Sequence, residues 1–392
     1  MTAEQADVRL LLVAGPGRPM LRAAAALDQV AAAWGPRWRL RPVPTAREAP
    51  SALRGHVLVL ASTSTSGGRA VSAAGCSADP ADAVRRALWE LRERHAAATF
   101  APRAPVVLDS HARLVAAGTP ALHPHELRGR PLRPERWPYP DWDTGTVLPW
   151  IAGTDLAGGG AVRVPLFLAG LRRDVPGGLR GEVTSIGLAA GPDAPAAVAA
   201  ARRELLERDR LIRAWRYGQP LRQGGVRRDA EWTVATLTGT TSAGDPLLVV
   251  LQSDPAAGLL GIGSAAHPDA VAAGRHAEAE AAQLATLAWL RRRRGAPSGP
   301  PTDFADRVVP GRDPDAVLAR LLTDRAGRTA APGGPPAAGT GRAVAVRLTP
   351  AADPVAVCRV VATDVEPMEA ADDCARSRPG SVPVHTDPHP FG

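Results

Sequence analysis

The stretch "TSIGLAAGPDAPAAVAAARRELLERD", residues 184–209, predicts a long helix that carries a cluster of charges. Asp193 stands where an N-cap residue is expected, because its carboxylate can accept hydrogen bonds from the free N–H groups of a first helical turn. The alanine-rich sequence behind it favours a helix over residues 193–215. Glu204 and Glu207 are three residues apart, so their side chains share one face of that helix.

The same arrangement occurs earlier in the chain, in "AAGCSADPADAVRRALWELRERH", residues 73–95. The spacing from Asp79 to Glu90 equals the spacing from Asp193 to Glu204. A Glu-Arg pair follows three residues after the first glutamate in both stretches. This recurrence predicts two equivalent helices, the first one over residues 79–95.

A third, looser copy follows in residues 269–294. Asp269 precedes Glu280 by the same spacing, and Gln283 stands where the other two copies have their second glutamate. The sequence therefore contains an internal repeat built on an aspartate cap and a carboxylate at a fixed distance from it.

Two interpretations of the repeated charges are open. Glu90 with Arg94, and Glu204 with Arg208, could form solvated i,i+4 ion pairs worth a few tenths of a kcal/mol each. Alternatively, the two carboxylate pairs face each other and hold Mg²⁺, a hard cation that prefers oxygen ligands. Four clustered carboxylates without a metal would repel one another and raise one another's pKa. Recurrence at matching registers favours the metal site.

The composition excludes several kinds of site. The chain has 392 residues, with 45% hydrophobic and 22% charged, which fits a globular protein. All 47 basic residues are arginine. A phosphate loop of the Walker type and a lysine Schiff base are excluded, because both need a lysine. Contacts to phosphate would have to come from arginine, backbone N–H groups or a metal.

The charge pattern and the hydropathy indicate neither nucleic acid nor a membrane as a partner. The net charge is +8, but the arginines are interleaved with acidic residues. There is no apolar run of about 18 residues and no signal-peptide pattern at the N-terminus. Cys76, Cys358 and Cys374 show no C-x-x-C spacing, which favours a reducing, cytoplasmic location.

Strand and helix patterns alternate over the whole chain, which predicts an α+β (mixed α/β) fold. Residues 62–68 are predicted as a turn, residues 100–145 as irregular, and residues 378–392 as an extended tail. The predicted strands are 8–14, 56–62, two within 146–170, 231–240, 246–254, 343–349 and 355–365, and a further helix is predicted over residues 20–34.

Taken together, the motifs over roughly residues 55–290 resemble the YcaO family, and the match is most specific in "TSIGLAAG…ELLERD". Members are ATP-dependent enzymes that modify peptide backbone amides, often in pathways that make natural products from ribosomal peptides. The resemblance implies a fold of repeated strand–helix units around a nucleotide site. It places a catalytic core over residues 56–323, preceded by an N-terminal α/β segment over 1–55 that packs on the core. The Gly- and Pro-rich composition of residues 324–342 predicts a flexible linker, and strands with a proline-rich tail are expected over 343–392.

The resemblance also implies roles for individual residues, with ATP and Mg²⁺ as cofactors. The tail would reach the active site through Phe391 and Gly392. The implied Mg²⁺ ligands are Glu90, Glu93, Glu204, Glu207 and Glu280, and the implied ATP contacts are Ser185, Arg94, Arg208 and Gln283.

The implied reaction is cyclodehydration of Cys, Ser or Thr to thiazoline or oxazoline in a ribosomally made precursor peptide. A separate leader-peptide-recognition protein is an expected partner, and a homodimer is left open. Cys76 stands where the family usually has lysine, Ile186 where a polar residue is common, and the tail has one proline fewer. These departures leave open a catalytically degenerate scaffold or substrate-binding subunit, and thioamide or macroamidine formation is a further alternative.

Overall fold

The structure is a computed structural model that describes residues 6–14, 38–43, 53, 55–128, 130–131, 142–171, 184–229, 231–294, 313–322, 341–366 and 376–377. The helix predicted over residues 20–34, nearly all of the predicted linker, and the tail with Phe391 and Gly392 lie outside these residues. The described part has the mixed α/β fold that the sequence predicts.

The strands are, in chain order, β1 Ala6–Ala14, β2 Trp38–Val43, β3 Val57–Ser64, β4 Ala70–Ser77, β5 Val107–Ser110, β6 Arg130–Pro131, β7 Val147–Asp155, β8 Ala161–Pro165, β9 Leu188–Gly191, β10 Arg222–Asp229, β11 Trp232–Thr240, β12 Pro246–Asp254, β13 Leu259–Ala266, β14 Ala343–Arg347, β15 Ala356–Ala362 and β16 Arg376–Ser377. The helices are α1 Pro80–Ala98, α2 His111–Ala116, α3 Pro124–Arg128, α4 Leu166–Ala169, α5 Ala194–Tyr217, α6 Ala270–Arg294 and α7 Pro314–Leu322. None of the described helices combines the length and the apolar character that a membrane span needs.

Three sheets carry the fold, and a further short pair joins β16 to β6. The first sheet has the order β2-β1-β3-β4, with β1 and β2 parallel. The second is an antiparallel meander, β10-β11-β12-β13. The third has the order β5-β7-β14-β15-β9, with β8 paired to β7, so its centre is formed by the C-terminal hairpin β14–β15.

Each of the three predicted charged helices follows a strand directly, and each strand lies in a different sheet. The strand–helix units are β4–α1, β9–α5 and β13–α6. In every unit the predicted aspartate caps the helix: Asp79 accepts from the Ala81 N–H at 3.0 Å, Asp193 from Ala196 at 2.8 Å, and Asp269 from Val271 at 2.9 Å. The repeat inferred from the sequence is therefore a repeat of structure.

Most predicted elements are confirmed, but some assignments were wrong. The segment predicted as a turn at residues 62–68 begins with the last residues of β3, and the region 100–145 contains β5, α2 and α3. The strands β2, β4, β9, β10 and β13 were missed, as were the short strands β6 and β16 and the helix α7. β4 and β13 are rich in glycine and alanine, which have low strand propensity. They are strands because a neighbouring strand pairs with them and a helix packs on them.

The helices lie very close to their strands where the strand has glycine. A Cβ atom on Gly75 of β4 would lie 2.2 Å from the Ala83 carbonyl oxygen and 2.4 Å from the Ala87 amide nitrogen of α1. These contacts are with backbone atoms of the helix, which cannot move aside without shifting the helix itself. The close approach brings the carboxylates of α1 within reach of the backbone of β4.

We predict that Gly75→Ala destabilises the protein by about 1–3 kcal/mol, because the added methyl overpacks the contact between β4 and α1. Chemical denaturation of the purified variant measures this loss. Gly225→Ala, in the exposed strand β10, is the matched control, since a Cβ there meets no atom within 4 Å. Equal stabilities of the two variants would contradict the close packing described above.

Candidate functional site

The first glutamate of each repeat is held by a backbone N–H in, or just before, the strand of its own unit. Glu90 Oε2 accepts from the Ala74 N–H at 2.9 Å, and Glu280 Oε2 accepts from the Ser264 N–H at 2.7 Å. In both cases the glutamate follows its donor by 16 residues. Glu204 accepts a similar bond in the third unit. The three helices are thereby fixed in equivalent rotations over their strands.

Glu204 Oε2 accepts from the Gly187 N–H at 3.1 Å, which lies just before β9. Gly187 has a φ of +78°, in the left-handed region that favours glycine. A Cβ at this position would lie 2.6 Å from the Val360 carbonyl oxygen. Glycine is therefore required for this N–H to point at the carboxylate.

The second glutamate of α5, Glu207, forms its hydrogen bonds with β13, the strand of a neighbouring strand–helix unit. Glu207 is buried, and its two carboxylate oxygens accept from the Ser264 hydroxyl at 2.6 Å and from the Ala266 N–H at 3.0 Å. Ser264 thus contacts the glutamates of two helices, through its hydroxyl and its N–H. No motif in the sequence singled it out, because its role depends on β13 lying beside α5.

Arg208 is the cation at this junction. Its Nη2 donates to Glu280 Oε1 at 3.2 Å and its Nη1 to the Ser264 hydroxyl at 3.3 Å. Its Nε is buried without a hydrogen-bond partner and lies 3.8 Å from Glu207 Oε1. The surrounding glutamates raise the pKa of Arg208 against the effect of burial, so the guanidinium stays charged.

The glutamates of the three helices are near enough to affect one another's pKa, and we call these five residues, Glu90, Glu93, Glu204, Glu207 and Glu280, the glutamate row. Burial raises the pKa of Glu93 well above its usual range, and Glu204 and Glu90 raise it further. Burial raises the pKa of Glu204 to about 7, with Arg208 opposing the shift and Glu207 adding to it. The pKa of Glu207 is raised by burial and by Glu280, again against Arg208. The row thus runs from α1 through α5 to α6.

Arg359 of β15 joins this row and was missed in the sequence. Its Nη1 donates to the Thr184 carbonyl oxygen at 2.8 Å. Burial lowers its pKa to about 10, while Glu204 and Glu93 act in the opposite direction. It lies in an ordinary strand pattern with no motif around it, so only the pairing of β15 with β9 could have placed it.

A pocket of about 290 Å³ opens beside the row. Its lining contains both acidic and basic side chains. The pocket is lined by Glu204, Glu207, Glu280, Arg208, Ser264, Arg86, Arg203, His276, Ala200, Ala265 and Ala266. Burial lowers the pKa of His276 to about 4, and the nearby charges of Arg86 and His267 contribute to this shift. The imidazole is therefore neutral near pH 7.

The chemistry of this donor set fits Mg²⁺ bound together with an anionic ligand. The row offers carboxylate oxygens, which Mg²⁺ prefers, and its raised pKa values show a concentration of negative charge that a cation would relieve. In the described part of the chain, however, no three His, Cys, Asp or Glu side chains already surround a common point. Three of the carboxylates instead accept hydrogen bonds from the backbone N–H groups of Ala74, Gly187 and Ser264.

The other residues singled out in the sequence lie at varying distances from this row. Arg94 is part-exposed, 2.5 Å from Glu90 Oε1, and its Nη1 donates to the Ser72 carbonyl oxygen at 2.8 Å, so it is not part of the pocket lining. Gln283 is half-buried, one turn after Glu280 on α6. The carbonyl oxygen of Ser185 accepts a hydrogen bond from the Leu188 N–H at 2.9 Å. Their contacts with ATP stay predictions.

Two departures from the family pattern have a structural explanation. Ile186 packs against apolar side chains of two neighbouring core clusters, so a polar side chain is not needed there. Cys76 is buried among Leu53, Leu58, Ala279 and Ala282. Burial raises the pKa of its thiol to about 12, which excludes a reactive thiolate near neutral pH.

Comparison with known families agrees with the resemblance found in the sequence. The model of a family described as YcaO cyclodehydratase, ATP- and Mg²⁺-binding, matches residues 74–366. For the family, this description confirms the predicted cofactors, ATP and Mg²⁺. No curated protein sequence matches the chain.

Solved structures with the same fold include three that are informative. A heterocyclase in complex with substrate and cofactor is 16% identical with a TM-score of 0.60, covering 81% of this chain and 49% of the other, so this chain spans about half that heterocyclase. YcaO from Methanopyrus kandleri, bound with AMPPCP and Mg²⁺, is 19% identical with a TM-score of 0.54, covering 86% and 88%. A chain of the E. coli microcin synthetase McbBCD complex with pro-MccB17 bound is 10% identical with a TM-score of 0.58, covering 79% and 85%. At these identities the likeness establishes the fold.

The raised pKa of Glu204 predicts a pH-dependent effect of Glu204→Gln on the ligand-free protein. The folded state keeps the Glu204 proton up to about pH 7, whereas the unfolded chain loses it near the ordinary value of 4.5. The stability linked to this group is therefore present below pH 4.5 and is lost as pH rises towards 7. Glu204→Gln should raise the Tm relative to wild type at pH 8, and this difference should vanish near pH 4.5.

Thermal unfolding in the presence of a chelator measures this difference directly. Glu126→Gln, at an exposed position of α3, is the control and should leave the Tm unchanged at both pH values. A Glu204→Gln variant that is less stable than wild type at pH 8 would show that the carboxylate is not repelled in the folded protein.

Proposed function

Because the chain belongs to the YcaO family, we propose that it is an ATP-dependent enzyme that modifies backbone amides of a ribosomally made precursor peptide. The favoured reaction is cyclodehydration of Cys, Ser or Thr to thiazoline or oxazoline. The side-chain sulfur or oxygen attacks the carbonyl carbon of the preceding amide. The oxygen of that carbonyl is then phosphorylated by ATP and leaves as phosphate, so that the peptide loses one water and ATP becomes ADP.

The observation that carries this proposal is the row of partly buried glutamates beside a pocket that Arg86, Arg203 and Arg208 also line. The residues that would hold Mg²⁺ are Glu90, Glu93, Glu204, Glu207 and Glu280. When bound there, the metal would neutralise phosphate charge and favour transfer of the terminal phosphoryl group. Carboxylates of different helices repel one another in the ligand-free protein, and the positive charge of the metal would relieve this repulsion.

The arginines and the serine of the site would act on the nucleotide. Arg208 is charged and lines the pocket, so its guanidinium can donate to a phosphate oxygen while keeping its bond to Glu280. Arg86 and Arg203 line the same pocket and can form ion pairs with further phosphate oxygens. Contacts of Arg94, Ser185 and Gln283 with ATP, and of the tail with the reacting amide, are part of the proposal on the strength of the family resemblance.

The proposed partners are a precursor peptide and a separate leader-peptide-recognition protein. The microcin synthetase with the same fold is a multi-subunit complex with its pro-peptide bound, which supports an arrangement of this kind. A homodimer and a cytoplasmic location stay predictions.

A specific observation supports a second function, that of a degenerate scaffold or substrate-binding subunit. Cys76, at the position where the family usually has lysine, is enclosed by apolar side chains and offers no charge to a nucleotide. The alternative fits this feature, but it gives no role to the partly buried glutamates that repel one another. Thioamide or macroamidine formation would use the same ATP site and differs only in the peptide product.

We predict that Glu280→Gln weakens binding of Mg²⁺ and ATP about tenfold or more, because it removes a negative charge from the pocket and a partner of Arg208. Gln can still accept the hydrogen bond from the Ser264 N–H, so the fold should be retained. Glu278→Gln on the same helix is the matched control, since Glu278 pairs with Arg227 on the surface at 3.0 Å. Isothermal titration calorimetry measures both variants.

The same proteins, supplied with the recognition partner and the precursor peptide, test the reaction itself. Wild type should hydrolyse ATP and remove water from the peptide, as seen by mass spectrometry, and Glu280→Gln should do neither at a comparable rate. Failure of wild type to bind ATP with Mg²⁺ would contradict the enzyme proposal and favour the scaffold. A peptide that gains sulfur in place of oxygen would instead favour thioamide formation.

A further inference from the structure

We propose that β10, the open edge of the second sheet, is a docking edge for an acidic, extended segment of the separate recognition protein. The segment would join the sheet as a further strand beside β10. That the segment belongs to the recognition protein rests on the proposed function, whereas the docking edge itself rests on the fold and the charge of β10.

The two edge strands of the second sheet differ in their exposure. β13 is buried along its whole length, and α6 packs on it. Every residue from Arg222 to Arg228 of β10 is exposed, and in the part of the chain that the structure describes β10 pairs with β11 alone. This pairing is regular from Gly225 to Asp229. An exposed edge strand presents backbone N–H and C=O groups to which another strand can bind, so β10 offers a place for strand addition.

The charge of β10 favours an acidic occupant. Its sequence, RQGGVRRD, has three arginines and one acidic residue. Arg227 donates to Glu278 of α6 at 3.0 Å, so its charge already has a partner. Arg222 and Arg228 form no ion pair with an acidic side chain that the structure describes. Carboxylates of an added strand can therefore pair with these two arginines without breaking an existing contact.

Strand geometry also provides an apolar contact beside one of these cations. Val226 and Arg228 lie opposite Ala235 and Thr233 of β11, and they share one face because residues two apart in a strand point to the same side. Val226 is 49% exposed. Arg227 lies on the other face, where α6 packs. An added strand can thus bury Val226 while its acidic side chains approach Arg228.

The same charges discriminate against a second copy of the chain. Two copies of β10 side by side would bring arginines next to arginines, and like charges on neighbouring strands are destabilising. An acidic strand brings carboxylates to Arg222 and Arg228 instead, and this attraction also speeds the encounter. The charge pattern therefore selects an acidic partner and opposes self-association through β10.

β10 lies on the side of α6 that faces away from the pocket. On α6, Glu278 is bonded to Arg227 of β10, while His276 and Glu280 line the pocket. With about 3.6 residues per helical turn, Glu278 points away from the side that His276 and Glu280 share. A protein bound at β10 therefore leaves the pocket open. This position suits a partner that stays bound while substrates exchange, which favours the recognition protein over the precursor peptide as the occupant.

Fluorescence anisotropy with synthetic peptides tests the docking edge in the full chain. The probe peptide alternates glutamate and threonine over the length of β10, and its two controls replace either glutamate by lysine or threonine by proline. The acidic probe should bind about tenfold more tightly than both controls, because lysine reverses the charge and proline cannot continue a strand ladder. Equal affinities for the three peptides, or no binding of the acidic one, would overturn the inference.

A double variant links this binding to β10. Arg222→Glu together with Arg228→Glu should abolish the preference for the acidic probe, because both free cations become anions. Arg103→Glu together with Arg113→Glu is the matched control, since these arginines are exposed and lie outside β10, and it should keep the preference. Loss of the preference in both double variants would show a general charge effect and would overturn the assignment to β10.

Activity with the recognition protein and the precursor peptide tests the occupant. The β10 double variant should need about tenfold more recognition protein for half-maximal activity, while its binding of ATP with Mg²⁺ stays as in wild type. An unchanged need for the recognition protein would overturn that protein as the occupant.

Two further outcomes separate this inference from the proposed function. If analytical ultracentrifugation shows a wild-type dimer that the β10 double variant dissociates, a second copy occupies the edge and the inference is overturned. If wild type shows no activity with its partner and peptide, the proposed function is contradicted, and the peptide titration still decides whether β10 is a docking edge.

Discussion

Hydrogen bonds from backbone N–H groups to glutamates inside the protein set the rotation of three helices. Ala74, Gly187 and Ser264 each hold the first glutamate of a repeat, and these bonds turn the acidic faces of α1, α5 and α6 towards one another. Burying several like charges in one place costs stability, as the raised pKa values of the row show. The rest of the site follows from this constraint, because arginine side chains must lie beside the carboxylates to offset their repulsion.

The contacts of those cations join distant parts of the sequence. Arg208 lies on α5 itself, but it is bonded to residues of β13 and α6. Arg359 arrives on the C-terminal hairpin, which forms the centre of the third sheet. The site is complete only when all three repeats and this hairpin are folded together. This agrees with a family match that extends over residues 74–366, beyond the last repeat.

The parts of the site that could be predicted are those with a local cause. An aspartate cap and a glutamate at a fixed spacing after it specify the start of a helix and one of its faces, whatever the helix packs against. Ser264 and Arg359 could not be found in this way, because their roles depend on which strand lies beside which helix. β4 was missed for a related reason: its small residues suit the close approach of α1 and not the strand propensity on which the prediction relied. Cys76 shows the same limit, since only the packing reveals that its side chain is enclosed by apolar groups.

In the proposed function, glutamates of separate repeats bind one metal together with one nucleotide. A crystal structure with Mn²⁺ and a non-hydrolysable ATP analogue, recorded at a wavelength where Mn²⁺ scatters anomalously, tests it directly. We expect an anomalous peak bounded by carboxylates of both α1 and α5, with the phosphates beside Arg208. A peak held by the phosphates alone, or one far from the glutamate row, would contradict it.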